Sequence, residues 1–398
     1  MSKLFEPMKI GKMEVRNRFV RSATSENMAT ETGKITADFI KMYKTLSKGQ
    51  IGLIILGYMY IHPYGRAFKY QTGIYSDKHI SGIKKVVDVI HKEKGKVAVQ
   101  LVHAGPQTYP QIIKTKPFGP SKKILNPFTF AMPREMNETE IQDTITFFID
   151  AAKRAVRAGV DAIEIHAAHG YLINQFLSPY FNHRKDDWGG SDENRFRYLK
   201  EIYIQIKVAI PNEIPVFIKL NAHDHTPKEG ITPPLAAKYA RWLVKLGIDA
   251  IEISGGTNHY SLFDVIRGDI PSDEMVMWIP KNVRESAKKV FQEMEGKYTL
   301  EEGYNLEAAK TLKPEMGKTP LILVGGFRSL TFMEEVIERN YADFISMCRP
   351  FIREPHLIKQ IYKGRKDMSS CSSCNRCVAA LPNNLPVHCY EKSFPKII

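Results

Sequence analysis

Two stretches of this chain nearly copy each other: GVDAIEIHAA, beginning at Gly159, and GIDAIEISGG, beginning at Gly247. Each closes an amphipathic helical pattern that ends in glycine, AAKRAVRAG in the first case and KYARWLVKLG in the second. A unit of helix, glycine and strand cannot bury its own apolar face, so its recurrence points to repeats packed side by side. Eight apolar segments read as strands, at residues 19–24, 53–60, 96–102, 162–166, 216–221, 250–254, 321–324 and 344–347. Helical patterns lie between most of them, at 37–47, 80–94, 138–158, 192–209, 234–246 and 330–339, with a last one at 355–362. Strands alternating with helices form a parallel sheet, and eight such units predict an α/β fold of the (β/α)8 TIM barrel type. A doubly wound open sheet is the alternative. It lacks support, because no G-x-G-x-x-G follows the first strand. The barrel is expected over residues 1–366, with a cysteine-rich tail over 367–398.

The chain has 398 residues, 43% of them apolar, enough to bury a large core. Its formal charge is +14, from 57 Lys and Arg against 43 Asp and Glu. The basic residues are scattered, and groups such as Lys114, Lys116, Lys122 and Lys123 are modest. That distribution reads as a solvated surface, with no nucleic-acid partner expected. The N-terminal MSKLFEPMKIG has no apolar core segment. The longest apolar run, residues 51–61, falls far below the ~20 residues that span a bilayer. We therefore expect a soluble, cytoplasmic protein without a membrane partner. Four of the five cysteines lie between Cys371 and Cys389. Short spacing of this kind suits a metal site better than a disulfide frame.

In a barrel, functional groups sit on the loops after the strands. Those ends carry Ala23, Thr24 and Ser25; Gly57 and Tyr58; Gln100 with His103; His166 to Tyr171; Lys219 to Asp224; Ser254 to Gly256; Gly325 and Gly326; and Cys348 and Arg349. Strand alternation puts Ala162, Glu164 and His166 on one face and Ile163 and Ile165 on the other. His169 and Tyr171 follow at once. A lone histidine here would read as a satisfied core residue, but H-x-x-H-G-Y groups two imidazoles that can donate to a substrate oxygen with a phenol that can hand over a proton. Gly325, Gly326 and Arg349 fall on the last two loops, where barrels commonly bind phosphate. Two connections exceed plain linkers: a Pro-rich loop at 103–137, and an insertion at 256–320 with helices near 281–295 and 306–312. Long connections of this sort are usually functional covers.

Taken in order, LFEPMKIGKMEVRNRFVRSAT, QLVHAG, IEIHAAHGYLINQFLSPYFNHRKDDWGGSDENR, PVFIKL, the glycine pair at Gly325 and CRPFIREP resemble the Old Yellow Enzyme family of FMN-dependent oxidoreductases, over essentially the whole barrel. The resemblance implies that Ala23, Thr24 and Ser25 line the flavin, Ser25 at a position often held by Thr or Cys. Tyr58 stands where the family usually has a small residue. Gln100 is implied to hydrogen-bond the flavin pyrimidine ring. Lys219 replaces a frequent Arg beside the flavin's electron-rich edge, where a cation favours the reduced form. Gly325, Gly326 and Arg349 are implied to hold the phosphate, with Cys348 in place of the usual Gly. His166 and His169 would bind the substrate carbonyl and Tyr171 would donate the proton. The implied reaction passes hydride from NADH or NADPH, through FMN, to the β-carbon of an enone or enoate.

Cys371, Cys374, Cys377 and Cys389 give C-x2-C-x2-C-x11-C. This resembles the iron–sulfur segment of the trimethylamine dehydrogenase and 2,4-dienoyl-CoA reductase branch, whose members continue into further nucleotide-binding domains, whereas this sequence runs only to Ile398. The expected ligand is a 4Fe-4S cluster. Zinc and free thiols are the alternatives, since four thiolates also suit zinc. HAAHGYL itself matches the single-domain ene-reductases. Three functions follow: an ene-reductase fed by NAD(P)H, a flavin and iron–sulfur subunit exchanging electrons with a separate carrier protein, and a non-catalytic barrel whose tail binds metal or a partner. The sequence leaves the oligomeric state open, a homo-oligomer included.

Overall fold

The computed structural model describes residues 2–122, 132–258 and 260–395. Part of the Pro-rich connection, including Lys123, lies outside the described residues. The eight strands are β1 (Phe19–Arg21), β2 (Leu53–Tyr60), β3 (Lys96–Val102), β4 (Ala162–Ala167), β5 (Val216–Asn221), β6 (Ile251–Ser254), β7 (Leu321–Val324) and β8 (Phe344–Met347). They close into one parallel barrel in chain order, β8 pairing with β1.

Alternation along each strand builds the molecule from inside outward. Inward residues Val20, Ile55, Ala98, Ala162, Phe217, Ala250, Ile322 and Phe344 pack together in the barrel's lower half. Outward residues such as Ile54, Val99, Ile163, Ile165 and Ile253 pack against the helices. An N-terminal hairpin, Met8–Ile10 with Met13–Val15, closes the bottom: Ile10, Met13 and Val15 join the inner cluster. Its strands are too short to show a clear period, so the hairpin was not among the expected elements. Helix Glu138–Arg157 starts on a capping box in which the Asn137 and Glu140 side chains and backbones pair reciprocally.

One strand departs from regularity at the mouth. The β2–β3 register shifts between Leu56 and Met59, a bulge of the kind that re-aims side chains, and Tyr58 faces the cavity above the barrel. Gly57 is required there, because a Cβ would lie 2.2 Å from Glu26 Oε2. The first strand ends at Arg21 rather than at Thr24, so Ser22 to Ser25 form lining rather than ladder.

The 256–320 insertion carries the short helix Ser272–Met275 and the helix Lys281–Gln292 before Leu306–Leu312. The tail folds back against this insertion and the mouth. Asn375 Nδ2 donates to the carbonyls of Ile266 and Asp269, Asn383 Nδ2 to that of Glu274, and Val387 N–H to that of Glu26. No described helix is long and apolar enough to cross a membrane.

Candidate active site

Above the apolar layer the barrel interior turns polar. Ser22, Gln100, Glu164, Lys219, Glu252 and Ser346 are all buried there. Lys219 Nζ lies 3.1 Å from Glu252 Oε2 and donates to Ser22 Oγ at 2.6 Å. Ser22 and Ser346 hydroxyls donate to Glu252 Oε1 at 2.7 and 2.8 Å. Burial favours the neutral forms of both Lys219 and Glu252, but each is overruled by the other: Lys219 is held above the usual lysine range and Glu252 below the usual carboxylate range. Glu164 goes the opposite way. Burial, then repulsion from Glu252, raises it well above a normal carboxyl. Glu164 is therefore driven toward its protonated form, while Lys219 favours the carboxylate at Glu252. Gln100 Nε2 donates to Glu164 Oε2 at 2.6 Å.

The rim directly above carries the H-x-x-H-G-Y group. His166 pairs in register with Lys219 across β4 and β5. Its Nδ1 accepts the Ala168 N–H at 3.3 Å, which leaves the proton of the neutral ring on Nε2. His169 sits at φ +60 and Gly170 at φ +77, left-handed positions that a histidine adopts only when held there. Asn221 Oδ1 accepts the His169 N–H at 3.1 Å and Asn174 Oδ1 the Gly170 N–H at 2.6 Å. Both amides also donate to Asp224. His169 Nε2 hydrogen-bonds Ser254 Oγ at 2.7 Å. The His166 ring lies 5.2 Å from that of His169 and 4.9 Å from that of Tyr171.

Burial, the second imidazole and Lys219 push His166 well below 6.5, and burial and Lys219 push His169 down to about 3. Both rings are thus held neutral, and the His169 N–H is free for a ligand when the Ser254 hydroxyl donates to Nε2. Burial pushes the Tyr171 phenol up to about 12, while Tyr58 and Asn258 pull it the other way. The Tyr58 and Tyr171 rings are 5.5 Å apart. Two neutral imidazoles and a protonated phenol thus converge on one space.

That space is a cavity of about 1120 Å³. Ala23, Thr24, Ser25, Tyr58, His166, His169, Tyr171, Lys219, Gly326, Cys348 and Arg349 all line it. Gln100 and Gly325 are not among the lining residues. Gln100 lies in the polar floor on Glu164, and Gly325 is a packing glycine: a Cβ there would meet the Asn305 backbone nitrogen at 3.1 Å, and its carbonyl accepts the Gly303 N–H at 2.6 Å. Arg328 was not among the expected site residues, yet it lines the cavity and is buried. Its Nε donates to the Cys371 carbonyl at 3.1 Å and its Nη2 to Ser373 Oγ at 2.8 Å. A basic residue in the same loop as the glycine pair is the clue that the sequence offers.

The four tail cysteines line one small second cavity together with Arg349, Arg353 and Ile352. Burial raises the Cys377 thiol to about 12, with Arg349 opposing and the other three thiols adding. Among the described residues, no group of three or more His, Cys, Asp or Glu side chains is gathered closely enough to hold a metal ion. Cys377, Arg349 and Ile352 line both cavities. Arg349 Nη1 donates to the Arg267 carbonyl at 2.7 Å and to Asn375 Oδ1 at 2.6 Å, so it also ties the tail to the mouth.

The chain is 34% identical to an NADPH dehydrogenase of Bacillus cytotoxicus over 359 residues, 89% of this chain and 90% of that one. It is 29% identical to a 4,4'-dithiodibutanoate disulfide reductase of Rhodococcus erythropolis over 379 residues, 95% of this chain and 93% of that one. Among solved structures, a complex of 2-naphthoyl-CoA reductase with 2-naphthoyl-CoA superposes with a TM-score of 0.84 at 26% identity. That match covers 98% of this chain but only 56% of the other, so the chain spans little more than half of that protein. Residues 3–368 match the NADH:flavin oxidoreductase / NADH oxidase family. A closed parallel barrel with this cation-floored mouth, and that match across nearly all of it, make the chain an NAD(P)H:flavin oxidoreductase belonging to the NADH:flavin oxidoreductase / NADH oxidase family.

Proposed function

We propose that the protein is an ene-reductase acting on α,β-unsaturated carbonyl compounds. The observation that carries this reading is the ring cluster: neutral His166 and His169 beside protonated Tyr171, above a buried lysine. FMN fits the mouth. Lys219 supplies a cation to its electron-rich edge, with Gln100 and Glu164 behind it; Ala23, Thr24, Ser25, Tyr58 and Cys348 offer lining; Gly326, Arg328 and Arg349 supply the positive end a phosphate needs. Gly325 serves there through its packing. Bound FMN supplies hydride drawn from NADH or NADPH.

The chain's own residues then have distinct tasks. The imidazole N–H groups of His166 and His169 bind the substrate carbonyl oxygen and stabilise the negative charge that grows on it. Being neutral, they donate without competing as acids. Tyr171 gives its proton to the α-carbon. Overall, one C=C bond becomes a C–C bond, hydride reaches the β-carbon, a proton reaches the α-carbon, and NAD(P)H becomes NAD(P)+. Anaerobic NAD(P)H oxidation with 2-cyclohexenone by the FMN-loaded protein tests this. Stoichiometric cyclohexanone is the expected product. Flavin reduction by NAD(P)H with no turnover of any enone would remove the reading.

A second reading rests on the tail. Four thiols surround a small cavity, and Cys377 and Arg349 border both this cavity and the mouth. Cys371, Cys374, Cys377 and Cys389 would hold a 4Fe-4S cluster, with zinc as the rival ligand. Three thiols closely spaced in sequence and one distant one favour a cluster over zinc, whose ribbon-type sites usually pair two with two. The barrel would then exchange electrons with a separate carrier protein. Reduction of an added one-electron acceptor, dependent on intact cysteines, is the outcome that favours this reading over the first.

A further inference from the structure

The cavity does not end at the ring cluster. Its volume of about 1120 Å³ takes in both the mouth assigned to FMN and the space beyond it. It continues from Tyr171 under the 256–320 insertion and the tail, where its walls are almost entirely apolar: Trp278, Val283, Val290, Phe291 and Met294 from the insertion and Leu381 from the tail. Apart from histidines, the charged side chains among the described lining residues are Lys219, Arg328 and Arg349. Lys219 lies on a barrel strand, Arg328 on the loop after β7, and Arg349 opens the short helix that follows β8. Among the described residues, the far part of the chamber thus offers no cation to a phosphate or carboxylate.

Two features give this part a specific shape. Tyr109 from the long connection and Trp278 from the insertion meet edge to face at 5.6 Å, so the two long covers touch each other over the cavity. The Trp278 Nε1–H donates to the Met275 carbonyl at 3.0 Å, which fixes the indole and leaves its ring as apolar wall. On the helix Lys281–Gln292, Val283, Ala287 and Val290 follow at helical spacing and all line the chamber. Val283 and Val290 nonetheless remain 48% and 52% exposed. An apolar stripe left open to water inside a cavity that leads to the reacting centre calls for an apolar occupant.

We infer that the chamber receives the body of the substrate, and that the natural substrate is an enone carrying a large, uncharged hydrophobic body. The inference rests on the ene-reductase reading for the orientation of that molecule, with its carbonyl at His166 and His169 and its body under Trp278. The reaction balances as before: the body takes no part in it. A long alkyl chain and a fused-ring skeleton share this chemistry.

The test uses the FMN-loaded protein and three probes: a series of linear enones of increasing chain length, a fused-ring enone, and the saturated ketone of each, whose binding is read by calorimetry without turnover. Each methylene that enters the chamber should raise kcat/KM about fourfold until the space is filled. Steep growth along the linear series names a chain. A flat linear series with a fused-ring enone preferred over 2-cyclohexenone by about a hundredfold or more names a ring skeleton. Val290→Glu, at a half-exposed site that tolerates charge, and Val290→Phe, which fills space, should each lower the ratio of kcat/KM for the large enone to that for 2-cyclohexenone at least about tenfold. If small and large enones are reduced with equal kcat/KM and neither saturated ketone binds, the inference fails while the ene-reductase reading survives. If the large ketones bind but no enone is reduced, the chamber stands and the ene-reductase reading fails.

Discussion

Lys219 Nζ and Glu252 Oε2 lie 3.1 Å apart, with side chains only 3% and 0% exposed. Such a pair is costly to break, because the survivor is a buried charge without a counter-charge. Glu252→Gln should therefore lower the stability of the protein by about 3–5 kcal/mol in urea denaturation. Lys219→Met combined with Glu252→Gln should cost clearly less than the sum of the two single changes. Glu164, elsewhere on the same polar floor, gives the contrast. Burial and Glu252 push it toward the protonated form, so Glu164→Gln replaces one neutral donor by another and should stay within about 1 kcal/mol of the parent. Equal losses in Glu164→Gln and Glu252→Gln would contradict the assignment of charge.

Tyr171 is the group placed to deliver a proton, and Tyr58 is the residue that makes it easier to lose. Tyr171→Phe should slow the step in which an enone is consumed by about 10²–10⁴-fold. Reduction of the bound flavin by NADH or NADPH should be nearly unaffected. Tyr58→Phe removes a group that opposes the effect of burial on the Tyr171 phenol. It should slow the same step less, and leave the nicotinamide step unchanged. Stopped-flow measurement of the two half-reactions separates these effects. Equal slowing of both steps in Tyr171→Phe would point to a damaged pocket instead of a lost acid.

The pH dependence follows from the histidines. Both pKa values are lowered, His169 to about 3, so protonation of that ring sets in only as the pH falls toward that value. Tyr171 is raised to about 12, so it loses its proton only near the opposite end of the scale. No group of the ring cluster changes charge between them. The affinity of the FMN-loaded protein for a small phenol should thus be flat from about pH 5 to about pH 8. A midpoint near the ordinary histidine value, with affinity changing several-fold across it, would show that the rings are not held neutral.

Much of the barrel and part of its site are legible in the sequence alone. The paired helix–glycine–strand units announce a barrel, and strand alternation puts Glu164 and His166 on the inward face, where they are. The same echo places a glutamate between isoleucines twice, at Glu164 and Glu252. A carboxylate inside an apolar strand demands a partner, but the partner, Lys219, comes from a third strand. Local pattern therefore shows the demand and hides how it is met. Gln100, expected at the cofactor, is tied into that floor through Glu164, a contact between strands that no local pattern shows. Arg328 is hidden for the converse reason: its contacts are with Cys371 and Ser373, more than forty residues later in the chain. The shape of the apolar chamber depends on two long connections meeting, at Tyr109 and Trp278, and no periodicity in either one reports that.

The tail prediction turns on four thiols. Cys371, Cys374, Cys377 and Cys389 line one cavity, yet Cys377 as a free thiol is raised to about 12 by burial and by the other three. Four thiolates crowded around one cavity without a metal would repel one another, so an occupied site should have a large effect on order in the tail. With a 4Fe-4S cluster bound, protein purified without oxygen should be brown, absorb broadly near ~400 nm, and contain about four irons and four sulfides per chain. Cys377→Ser should lose most of that iron. It should also loosen the tail, read as faster proteolysis around residues 370–390. Ser373 and Asn375 tie this segment to Arg328 and Arg349, so proteolysis confined to Cys377→Ser would assign the anchoring to the cluster, and equal cleavage in the parent would assign none. One zinc per chain and no sulfide would replace the cluster with a structural ion, and unmodified free thiols with no bound metal would remove both.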